Sequence, residues 1–143
     1  MDYLNRLLIT ILFMMGMAAC SPENSQPEKA TDEPSLEAGM LQHTVYFYLK
    51  EDVTTDEREE FEEGLIELLA IEEVHDYQIG IPANTEEREV TDHSFGYSFF
   101  SWFENLEDYK VYAEHPVHLE FIDKYEGLWA DVRVYDSEVI AIQ

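Results

Sequence analysis

The residues with the most chemistry to offer sit in YAEHPVHLEF, residues 112 to 121, where Tyr112 precedes His115 and His118 around Pro116. A neutral imidazole here could take a proton from a carbon next to a carbonyl, with the tyrosine hydroxyl holding the enolate oxygen as it develops. The same residues also spell a helix boundary. His115 suits an N-cap, Pro116 the first helical position with its fixed φ, and His118 the N3 position, from which it can bond back to the chain terminus. A metal site is the third reading. It is the weakest, because a proline and a helix start separate the two histidines, and Glu114 beside them does not complete a ligand set. No metal and no cofactor are expected.

The remaining candidates are fewer. His75 and His93 fall at loop–strand edges and read as exposed. The only cysteine is Cys20, so no disulfide is possible within the chain. It follows an uncharged run, Leu7 to Ala19, too short to span a bilayer and long enough for the apolar region of a signal peptide. Met17-Ala18-Ala19-Cys20 resembles a bacterial lipobox. Residues 1–19 therefore read as a lipoprotein signal peptide and Cys20 as the lipidated residue. Ser21 in place of an aspartate favours the outer membrane. Residues 20–40 are rich in Pro, Glu and Ser without apolar periodicity, hence a disordered acidic tether. Cys20 would make the protein extracytoplasmic and membrane-bound through lipid alone.

Charge removes one class of partner outright. Eight Lys and Arg stand against 32 Asp and Glu, giving a net charge of −24, and no basic cluster exists to meet phosphates. Nucleic acid is excluded, and so is adhesion of the domain surface to anionic lipid.

The elements that must position these side chains lie in residues 41–143, one domain by length. LQHTVYFYLK (41–50) reads as a strand. Thr54 and Glu57 spell a capping box ahead of Phe61, Leu65, Leu68 and Leu69, an amphipathic helix with a solvated Glu-rich face. HDYQIGI (75–81) and SFGYSFFSWF (94–103) follow as strands, separated by a polar loop. Asn105 caps a helix to Glu114, Pro116 starts another running to Trp129, and Val132 to Tyr135 forms the last strand. The order β-α-β-β-α-α-β is the split βαβ of ferredoxin-like α+β folds: a four-stranded antiparallel sheet with helices on one face. The strands are aromatic on both sides. The first offers His43, Val45, Phe47 and Leu49 on one face and Thr44, Tyr46 and Tyr48 on the other. The third offers Phe95, Tyr97, Phe99 and Phe103 against Phe100 and Trp102. A face turned to water should be polar, so a second copy of the sheet is expected to cover it in a homodimer.

In this order and spacing, His43-x-Val45-x-Phe47-x-Leu49, Arg88-x-Val90-x-Asp92-x-Ser94, Tyr112-x-x-His115-Pro116-x-His118-x-x-Phe121 and the closing Leu128-Trp129…Val132-x-Val134-Tyr135-Asp136 resemble the Dabb family, the stress-responsive dimeric α/β-barrel domain. The resemblance spans 41–143. It implies a ferredoxin-like monomer and a barrel closed by two sheets across a dimer, in a family whose members mostly lack an established activity. A plant polyketide cyclase of the family uses the second His of the His-Pro-x-His motif as base, with a helper Tyr three residues before the first His. Those roles would fall on His118 and Tyr112. His43 would line the same cavity, and Tyr97 stands where the cyclase has a strand histidine.

The expected function is thus a membrane-anchored dimer that binds a small apolar or aromatic molecule, or serves structurally. The alternatives are a cyclase-like proton-transfer enzyme and a haem-binding barrel. Haem would need an axial histidine in the cavity and basic contacts for the propionates, which the scattered Lys and Arg do not offer.

Overall fold

The computed structural model describes residues 36–140. The expected signal peptide, Cys20 and the tether up to residue 35 lie outside the described residues. Among those described, no helix is long and apolar enough to cross a membrane.

The elements run β1 (Leu41–Leu49), α1 (Thr55–Leu68), β2 (Asp76–Gly80), β3 (Tyr97–Phe103), α2 (Leu106–Glu114), α3 (Pro116–Tyr125), a 3-10 turn (Glu126–Leu128) and β4 (Trp129–Glu138). The strands form one antiparallel sheet in the order β2-β3-β1-β4, with the three helices on one face. This is the ferredoxin-like arrangement the sequence pattern predicts.

Local signals explain the helix starts. The Thr54 hydroxyl accepts from the Glu57 amide at 3.3 Å, and the Glu57 carboxylate accepts from the Thr54 amide at 2.8 Å, satisfying two donors that the first turn leaves orphaned. Asn105 Oδ1 caps α2 by accepting from the amides of Glu107 and Asp108 at 2.8 and 3.0 Å. α1 buries a stripe of Phe61, Leu65 and Leu68, and Phe61 meets Phe47 of the sheet and Phe121 and Tyr125 of α3 in edge-on and tilted ring contacts of 5.1 to 5.6 Å. Gly64 is small for a reason: the Tyr125 ring lies directly over it, and the Tyr125 hydroxyl donates to the Glu60 carbonyl at 2.7 Å.

Several boundaries differ from those expected. Trp129 opens β4 instead of ending α3, because the helix closes at Tyr125 and a 3-10 turn swings the chain onto the sheet. There it reaches Phe47 at 5.1 Å, although its buried Nε1 has no partner among the described residues. β4 also runs past Tyr135 to Glu138. It pairs with β1 from Leu49↔Trp129 to Leu41↔Glu138, since main-chain pairing is indifferent to the polar side chains at its end. β3 begins at Tyr97, so strict alternation does not reach Phe95. That ring lies on the face away from the helices, 5.0 Å from Tyr46, not on the helix side.

The helix-free face carries Tyr46, ringed by Phe95, Phe100 and Tyr135. At its rim the Tyr48 hydroxyl donates to Asp92 at 2.8 Å, and the Arg133 guanidinium sits 4.6 Å over the Tyr48 ring. A shallow depression of about 470 Å³ follows these side chains.

Candidate functional site

β1 delivers His43 to the helix side, where it is 6% exposed. The register places Ser101 of β3 on one flank of it and Asp136 of β4 on the other. His43 Nδ1 lies 2.6 Å from Asp136 Oδ1. The distance suits an ion pair, but burial disfavours the charged ring more than Asp136 favours it, so the pKa of His43 is held below its ordinary value. A carboxylate can only accept, so the neutral ring carries its proton on Nδ1 and leaves the Nε2 lone pair for chemistry.

The helix corner supplies the opposing groups. His115 does what the boundary reading predicts: its Nδ1 accepts from the Val117 amide at 3.2 Å, capping α3. His118 is different. Its Nδ1 lies 2.9 Å from the Ala113 carbonyl, so it bonds back to the last turn of α2 across the corner rather than to the start of its own helix. That carbonyl must accept, which again fixes the proton on Nδ1 and bares Nε2. Burial pushes its pKa down, the bond to Ala113 opposes this, and the neighbouring His43 pushes it down further.

Tyr112, at 1% exposure, joins the two halves. Its ring centroid is 4.8 Å from that of His118 and 6.1 Å from that of His43. The hydroxyl is buried with no hydrogen-bond partner among the described residues, and burial pushes its ionisation far above the ordinary tyrosine range. His43, Tyr112 and His118 therefore converge.

Tyr97 does not join them. It pairs with Phe47 while His43 pairs with Ser101, which puts about 13 Å of strand between the two residues. Its hydroxyl donates to Glu62 at 2.6 Å, and burial together with that carboxylate pushes its pKa up to about 12. His75 and His93 are half-buried rather than exposed. His93 Nε2 meets the Thr85 hydroxyl at 2.9 Å. Among the described residues no group of three or more His, Cys, Asp or Glu side chains could hold a metal ion.

Two members of the cluster escaped the sequence reading. Asp136 was visible only as part of the closing motif, because its place opposite His43 depends on the β1–β4 register. Tyr109 precedes Tyr112 by one helical turn and stacks 5.3 Å from His43. The three-residue spacing was a usable signal. Together these groups offer two neutral imidazole bases with fixed tautomers and one buried hydroxyl donor, the equipment to grip a carbonyl and to move a proton beside it.

Comparison with known proteins agrees with this architecture. A dimeric ferredoxin-like protein of unknown function from Bacteroides fragilis is 27% identical, with a TM-score of 0.55, covering 70% of this chain and 96% of its own. An Arabidopsis thaliana protein is 25% identical at a TM-score of 0.60, covering 72% and 98%. A hydroxynitrile lyase from Passiflora edulis matches at a TM-score of 0.64 over 75% and 99%, but at 16% identity the likeness is one of fold alone. No curated protein matches the sequence. The family model for the Stress responsive A/B Barrel Domain matches residues 41–139, the span that holds every element of the sheet and helix layer, and the chain belongs to that family.

Proposed function

We propose that this protein is a dimeric barrel that binds a small, flat, mostly apolar molecule bearing a carbonyl, held at the His43–Tyr112–His118 cluster. The Tyr112 hydroxyl carries the reading. A buried hydroxyl without a partner costs about 1–3 kcal/mol, and a ligand carbonyl arriving there would recover that cost. The aromatic lining favours a flat guest. The dimer is supported by the two-sided aromatic sheet and by relatives described as dimeric. Anchoring by lipid at Cys20 is part of the proposal and rests on the sequence of residues 1–20.

Titration with acetophenone, followed by the imidazole NMR signals of His43 and His118, tests the site. Both signals should move, and Tyr112→Phe should weaken the effect about tenfold, the worth of one hydrogen bond. Imidazoles that ignore the ketone sink the reading. For the anchor, a fatty-acid analogue should label the wild type and not Cys20→Ser; equal labelling removes it.

Proton transfer is the second reading, favoured by the two bare Nε2 atoms. Deuterium from solvent should then enter the methyl group of acetophenone in the presence of the wild type and not of His118→Ala. Exchange at the uncatalysed rate would exclude it.

A further inference from the structure

One path from the buried His43 to the outside runs past its partner Asp136. Where β1 begins and β4 ends, a cleft of about 280 Å³ is lined by Gly39, Leu41, Leu106, Asp136, Ser137 and Glu138. Asp136 belongs to both worlds: it lines the cleft, its side chain is 46% exposed, and it holds His43 at 2.6 Å. One turn along α2 from Leu106 stands Tyr109, half-buried, its ring 5.3 Å from His43 and 5.4 Å from Phe103. The Asp136 charge reaches it too, raising the ionisation of its hydroxyl after burial has done so. Tyr109 thus stands against the imidazole, one helical turn from a residue that lines the cleft.

We propose that this cleft is the entrance to the buried cluster, that Tyr109 is the gate across it, and that it admits neutral or cationic small molecules while turning carboxylates away. This rests on the ligand-binding reading above and adds the route and the charge selection. Gating follows from packing: no ligand reaches a His43 that is 6% exposed unless a neighbouring side chain swings aside. Of the rings that pack against His43, those of Phe99, Phe103 and Tyr112 are buried and that of Tyr109 is half-open to solvent. Selection follows from the walls. Asp136 and Glu138 line the cleft and no Lys or Arg does, and the whole chain carries −24. A carboxylate would approach against that field, while a ketone, amide or amine would not.

Iodoacetamide and iodoacetate make a matched pair of probes, since both alkylate an imidazole nitrogen with loss of iodide and differ in charge. Rates at His43 in the full-length chain, mapped by peptide mass spectrometry, would be corrected by the rates on N-acetylhistidine. The wild type should favour iodoacetamide by at least about fivefold, as expected for like charge at close range. Tyr109→Ala should speed alkylation of His43 while leaving His93 unchanged, and Tyr109→Phe should keep the wild-type rate. Leu106→Trp adds bulk at a position already 57% exposed, so it tests the route without threatening the fold, and it should slow His43. A His43 rate indifferent to Leu106→Trp and Tyr109→Ala, or no alkylation in any variant, overturns the entrance. Equal corrected rates for the two reagents overturn the selection. These results are independent of the ketone titration: gated alkylation with a silent ketone would leave the gate standing and remove the binding reading.

Discussion

His43 and Asp136, 93 residues apart in the chain, face each other across neighbouring strands with Nδ1 and Oδ1 at 2.6 Å. The pair sets the tautomer of a buried ring, and removing its charge has a definite sign. Asp136→Asn deletes the group that works against burial, so the His43 pKa, already lowered, should fall further. An NMR titration that moves it upward would contradict the balance described.

Stability should depend on pH through both buried imidazoles. His43 and His118 have folded pKa values below the ordinary 6.5. The unfolded chain therefore binds more protons between those lowered values and 6.5. Stability is full above pH 6.5 and is lost as the pH falls below it, through the folded values. Urea unfolding at pH 7.5 and pH 5.5 should give the lower midpoint at pH 5.5, and the difference should shrink in His43→Gln.

Gly64→Ala would place a methyl group inside the Tyr125 ring. The ring is anchored by its bond to the Glu60 carbonyl and packed on Phe61 and Phe121, so it cannot yield cheaply. The expected cost is about 2 kcal/mol, seen as a fall in Tm of roughly 10 °C for a domain of this size. An unchanged Tm would mean that α1 and α3 slide apart freely.

The two corner histidines should separate on substitution. His115→Ala removes an N-cap, costing about 1 kcal/mol, and should leave ligand binding alone. His118→Ala loses a comparable bond to Ala113 and should also abolish the response of His43 to ketone. Thermal unfolding and the same titration decide it, and identical behaviour in both assays would count against a distinct role for His118.

Tyr46→Glu would bury a carboxylate without a partner if two sheets meet over Tyr46, at a cost of several kcal/mol. Light scattering should show a dimer for the wild type and a monomer for the variant. A monomeric wild type removes the dimer.

Much of this was legible in the sequence, and the exceptions share a cause. Thr54 with Glu57, Asn105 and Pro116 announce their helix starts through local hydrogen bonding and a fixed φ, and local rules are readable from a string. Tyr112 and His118 converge because they flank one corner. The distance of Tyr97 from His43 and the place of Asp136 beside it could not be read, because both are set by strand register, which links residues dozens of positions apart. Trp129 followed the same logic: apolar spacing carried the helix on through it, but the turn at Glu126–Leu128 and the pairing with Leu49 claimed it for the sheet.

The bond from His118 to Ala113 ties the end of α2 to the start of α3, so Tyr112 and His118 ride on one stiff bracket, while His43 and Asp136 are pinned by the ladder between β1 and β4. The cluster is therefore a vice with two jaws, each internally braced, and across the gap the rings of Tyr109 and Tyr112 meet His43 at 5.3 and 6.1 Å. A small tilt of the bracket would change the gap while the bonds within each jaw stay in place. A barrel built this way can be re-sized for a new guest by substitutions under the helices, far from the residues that would do the gripping.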